Sequence, residues 1–113
     1  MLIRIWRTHM DEARAPEYEA FVRQHSLPMF RAQPGFAGVL FARDAASCAV
    51  ISCWRDAAAV DAFARSASYH DTATALAATG MLVGEASVEV FELHDGYLRE
   101  TLRPADGRIR RCC

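Results

Sequence analysis

The chain contains no lysine and no asparagine in its 113 residues. Without lysine there is no Schiff-base chemistry and no ammonium to handle a phosphate. Without asparagine one common amide donor to an oxyanion is missing. Every basic side chain other than histidine is therefore arginine. The four cysteines lack a pattern that would carry chemistry. Cys48, Cys53, Cys112 and Cys113 fit neither a zinc-ligand spacing nor a C-x-x-C redox pair, and their pattern implies no oxidising compartment. The terminal Cys112-Cys113 pair reads as solvated tail, and no metal is expected. No apolar run approaches the ~20 residues of a membrane span. The opening MLIRIWRTH sets arginines in a short apolar stretch, unlike a signal peptide. No Gly-rich phosphate loop, Ser-His-Asp arrangement or pair of carboxylates stands out. A net charge of −1 gives no field to draw nucleic acid or an anionic membrane. A cytoplasmic location is the default.

What is present fits one ordinary globular domain. The chain is 52% hydrophobic and 24% charged, and 113 residues leave room for one core. Leu2 to His9 alternates as a strand, with Ile3, Ile5, Arg7 and His9 on one face and Leu2, Arg4, Trp6 and Thr8 on the other. The first face is expected to point at the helices. A helix follows from about Pro16, with Tyr18, Phe21, Val22 and His25 as its buried stripe, and Pro28 ends or kinks it. Gln33-Pro34-Gly35 is a turn. Phe36 to Arg43 and Ser47 to Trp54 are strands joined by a hairpin at Asp44-Ala45-Ala46, and Gly38 leaves space for a close neighbour. Asp56 caps an alanine-rich helix, Ser68 begins another helical piece, Gly80 ends it, and Ala86 to Leu93 is the last strand.

The order β-α-β-β-α-β predicts an α+β, ferredoxin-like fold with a four-stranded antiparallel sheet and its helices on one face. The opposite face is expected to carry Trp6, Phe41 and Phe91, with no helix left to cover them. Pairing with a second copy through that open face would bury it, so a homodimer is expected. The domain spans 1–95. The polar, arginine-rich tail over 96–113 reads as a disordered end or as an arm over a partner subunit.

Several segments together resemble the antibiotic biosynthesis monooxygenase family of small dimeric α+β barrels. They are Ile5-Trp6-Arg7, Glu17-Tyr18-Glu19-Ala20-Phe21, Gln33-Pro34-Gly35-Phe36-Ala37-Gly38, Cys53-Trp54-Arg55-Asp56 with Asp61-Ala62-Phe63, and Val88-Glu89-Val90-Phe91-Glu92. The resemblance covers about the first ninety-five residues. It implies the dimeric barrel and, more loosely, a reaction. A haem-degrading branch is similar in carrying an asparagine, a tryptophan and a histidine ligand where this chain has Arg7, Phe63 and Ala73, so haem is not expected. The cofactor-free branch implies oxygenation of a small aromatic, quinol or polyketide-like substrate by O₂, with no cofactor. The alternative is a non-catalytic small-ligand-binding or stress-associated barrel.

Such oxygenation needs an apolar pocket, a base and a group to hold an oxyanion. On these terms Arg7 is the candidate oxyanion holder, His25 or His70 the base, and Tyr69 a hydrogen-bond donor; Ile5, His9, Phe21 and Phe63 are candidate pocket walls. Each has a plainer reading. Arg7 equally suits an ion pair with a glutamate, and His25 a boundary position. His70 and Tyr69 also suit an exposed helical turn, His9 a solvated strand end, and Phe21 and Phe63 simple packing.

Overall fold

A computed structural model describes residues 1–99. Cys112, Cys113 and most of the expected arginine-rich tail lie outside the described residues.

Strand β1 (Leu2–Met10) leads through a short 3₁₀ turn (Glu12–Arg14) into α1 (Ala15–Phe21). The chain continues through a π-helical segment (Val22–Ser26) into α2 (Leu27–Arg31), then forms β2 (Phe36–Asp44) and β3 (Ser47–Trp54). Helices α3 (Ala57–Arg65) and α4 (Ala67–Ala78) precede β4 (Leu82–Glu92). All three strand pairings are antiparallel, in the order β2-β3-β1-β4, which gives the four-stranded ferredoxin-like sheet. The α+β fold expected from the sequence is the fold observed.

Local chemistry explains most boundaries. Asp56 caps α3, its carboxylate accepting from the Ala59 N–H at 2.9 Å. Ser66, not Ser68, caps α4 by accepting from the Tyr69 N–H at 3.2 Å. Pro28 does not end the first helix. It lies in the first turn of α2, where its missing N–H costs nothing. Its effect falls one turn earlier: Leu27 N–H reaches back five residues to the Val22 carbonyl, the mark of a π turn. β4 starts at Leu82 rather than Ala86, because a bulge around Gly84 (φ 76°) lets it pair with β1 on both sides of the irregularity.

The face assignment on β1 is the main correction. Arg4, Thr8 and Met10 are buried under the helices, and Leu2 and Trp6 pack against the same core. Ile3, Ile5, Arg7 and His9 therefore point to the opposite, open side. Trp6 and Phe41, expected on that open face, belong to the helix-covered core, whereas Phe91, paired with Ile3, does lie on the open side. The open face carries Ile3, Ile5, Leu40, Ile51, Cys53 and Phe91, and none of them joins either buried cluster. Arg7 crosses it to form an ion pair with Glu89.

The densest part of the core is aromatic. Trp54, Phe63 and Phe30 are almost fully buried, with ring centroids 4.6 Å apart for Trp54–Phe63 and 5.2 Å for Phe30–Phe63. α3 reaches this cluster by packing on Gly35, which has φ 76° and would place a β-carbon 2.5 Å from Ala59 Cβ. Both the left-handed backbone and the close approach require glycine. Gly35→Ala should cost about 2–4 kcal/mol, strain and overpacking adding. Gly38, whose β-carbon would meet nothing within 4 Å, is the control, and Gly38→Ala should change thermal unfolding little.

Candidate functional site

Between the sheet and the helices lies a cavity of about 160 Å³, open on one side to solvent. Trp6, Phe41 and Val50 form its sheet wall; Val22, Met29 and Leu76 stand opposite on the helices. Its polar groups are few: Arg4, Tyr69, Tyr18, Ser26 and Thr72. An apolar cavity with a small number of placed polar groups is the common form of a small-molecule site.

Arg4 is its most unusual group. The residue is 6% exposed, and among the described residues no carboxylate pairs with it. Its Nη2 donates to the Tyr69 hydroxyl at 3.1 Å, and the guanidinium carbon lies 5.1 Å from the Phe63 ring centroid and 5.2 Å from that of Tyr69. Aromatic faces offset part of the cost of burying a cation but do not neutralise it. The backbone around Arg4 is tied down: the Trp54 indole N–H donates to Ser52 Oγ at 2.9 Å, and that hydroxyl donates to the Arg4 carbonyl at 3.3 Å. A fixed, buried, unneutralised guanidinium in an apolar wall is a place for an anionic oxygen.

The Tyr18 hydroxyl lies at the cavity beside the Cys48 thiol. Burial, with Cys48 as neighbour, pushes its pKa well above the ordinary tyrosine range. Burial also raises the pKa of the Cys48 thiol, against a lowering contribution from its Tyr18 contact. Neither group is a base near neutral pH, and the thiol is a poor nucleophile.

Of the candidate catalytic residues, only Tyr69 reaches the cavity. Arg7, Ile5 and His9 are on the far side of the sheet, and Arg7 is occupied by Glu89. His70 is exposed on the outer side of α4. His25 is exposed and stacks on Phe21, centroids 4.8 Å apart. Ser26, four residues after Val22, takes the buried position on that helix face, and His25 beside it turns outward. Phe63 is a core residue behind Arg4 and Tyr69, and Phe21 packs at the edge of the core. Sequence reasoning missed Arg4, Tyr18, Ser26 and Thr72. Arg4 had a usable signal, since two arginines an odd number of residues apart on one strand cannot share a face.

No protein-family model and no curated protein matches this chain. Solved structures do. A Deinococcus radiodurans protein, provisionally described as an antibiotic biosynthesis monooxygenase, superposes with a TM-score of 0.71 at 12% identity, covering 89% of this chain and 100% of that one. SnoaB from Streptomyces nogalater, described as a cofactor-independent oxygenase, gives 0.68 at 24% identity, covering 88% and 97%. A Nitrosomonas europaea protein of unknown function gives 0.70 at 18% identity, covering 88% and 95%. At these identities the likeness is one of fold: the chain has the architecture of the antibiotic biosynthesis monooxygenase structures.

Proposed function

We propose that the cavity binds one aromatic ring bearing an ionised oxygen and that the protein oxygenates this phenolate with O₂, using no cofactor. The observation that carries the reading is Arg4, a buried cation without a carboxylate partner, hydrogen-bonded to Tyr69 at the wall of an apolar cavity. A cavity of about 150 Å³ is enough for a benzene-sized ring, and the volume here is about 160 Å³. Arg4 lowers the pKa of a bound phenol by stabilising its anion, so the phenol proton passes to water at the open side of the cavity and returns when the peroxide forms. The phenolate passes one electron to O₂, the radical pair joins at a ring carbon, and loss of water from the peroxide leaves a carbonyl. The balance is phenol plus O₂ to quinone plus water, with every electron supplied by the substrate. The fold shared with a protein described as a cofactor-independent oxygenase agrees with this chemistry.

A second reading is non-catalytic binding of the same anion. It is favoured by the absence of any histidine, aspartate or glutamate among the described residues that line the cavity. Oxygen consumption with a panel of single-ring phenols and quinols, on chelator-treated protein, separates the two. Protein-dependent uptake with one oxygen atom of ¹⁸O₂ entering the product and no hydrogen peroxide formed supports oxygenation. No uptake, with the same compounds raising the melting temperature, supports binding alone. Neither effect would reject both.

The second part of the reading is a homodimer through the open sheet face. An apolar face of this kind, built around Ile5, Ile51 and Leu40, is stable in water only when covered.

A further inference from the structure

Ser26 is 8% exposed and lines the cavity from the π-helical segment. Its hydroxyl takes part in none of the side-chain hydrogen bonds of the described residues. No enclosed polar side-chain atom among the described residues lacks a partner, so this hydroxyl keeps accessible surface, on a residue that lines the cavity. Unbonded to protein, the hydroxyl is available to a ligand in the cavity, and a ligand that displaced its water without bonding to it would lose about 1–3 kcal/mol. The segment that delivers it is itself unfavourable in geometry, and π turns of this kind gather at functional sites.

Resting on the phenolate reading above, we propose that Ser26 is a specificity-determining residue whose hydroxyl binds a second oxygen on the ring. Arg4 belongs to the sheet wall and Ser26 to the helix wall, so a ring between them is held at two points. The site then takes dihydroxyarenes in preference to monophenols. The chemistry agrees. With no metal or flavin, the substrate alone must reduce O₂, and a second electron-donating oxygen makes the ring a far better one-electron donor. For a benzenediol the balance is diol plus O₂ to hydroxyquinone plus water, with no outside reductant.

The test is anaerobic calorimetry of phenol, catechol, resorcinol and hydroquinone on the wild type and on Ser26→Ala, a near-isosteric change whose folding is checked by its melting temperature. In the wild type the best diol should bind about fivefold more tightly than phenol, the worth of one neutral hydrogen bond. In Ser26→Ala that ratio should fall to about one. An equal affinity for phenol and all three diols in the wild type, or a preference that persists in Ser26→Ala, would overturn the assignment to Ser26 while leaving the phenolate site standing. Failure of all four compounds to bind the wild type would overturn the phenolate site and this inference with it.

Discussion

Arg4→Met should raise the melting temperature while weakening phenolate binding about 100-fold. The two effects have one cause. Arg4 is buried with a single neutral hydrogen-bond partner, Tyr69, and two aromatic faces, and no carboxylate offsets its desolvation. Replacing a buried, incompletely paired ion by an apolar side chain of similar length is commonly neutral or stabilising. Methionine fills the space without the charge, and the half-buried Tyr69 hydroxyl still faces the cavity. A gain of about 1 kcal/mol would shift the transition upward by roughly 4–8 °C in a domain of this size. The loss in affinity follows from removing a charge-assisted bond in an apolar site, worth about 3 kcal/mol. Differential scanning calorimetry and ligand titration on the same preparation check both. A variant that unfolds early would mean the guanidinium is structural, and unchanged affinity would remove Arg4 from the site.

The parts of this architecture that come from local rules were legible in the sequence. β3 spans Ser47–Trp54 as its alternation predicts, the Asp56 cap is where a side-chain acceptor must sit, and the strand order follows from a hairpin between two β-α-β-like halves. The site was less legible, for two physical reasons. Both faces of β1 are largely apolar, so alternation fixes the pairs Ile3/Ile5 and Leu2/Trp6 without saying which pair faces the helices, and a choice off by one residue moves Arg7 in and Arg4 out. The first helix has a single-residue insertion that hydrophobic periodicity does not register. Its cause, Pro28, was visible, but a proline signals an interruption without giving its form. Positions three and four residues after Val22 both lie near one helix face, so periodicity does not choose between His25 and Ser26; Ser26 is the buried one, and the expected base lies outside the cavity. Tyr69 survived both errors because it sits on α4, whose start is fixed by a serine cap within two residues of the expected place.

The second large effect concerns the open face. Ile51→Asp should convert a homodimer into a folded monomer. Ile51 lies on β3, a central strand, directly across from Ile5 on β1 and Leu40 on β2, so it occupies the middle of the apolar patch. Its side chain belongs to neither buried cluster of the chain, and a carboxylate there remains hydrated in the isolated subunit. In a sheet-to-sheet dimer the same carboxylate would be desolvated twice across the symmetric interface, at several kcal/mol per ion. Dissociation should therefore strengthen by at least about 100-fold, readable by sedimentation at micromolar protein with the circular dichroism spectrum unchanged. The Arg7–Glu89 pair refines the expectation. Already neutralised within one chain, it can enter such an interface without an unpaired charge, whereas a lone aspartate at 51 brings one. A wild type that sediments as a monomer would remove the dimer outright, and a dimer that tolerates Ile51→Asp would place its interface on another surface. The cavity lies on the helix-covered side of the sheet, opposite the face that carries Ile51, so a monomeric Ile51→Asp should still bind phenolate. Loss of binding along with the dimer would show that a partner subunit completes the site.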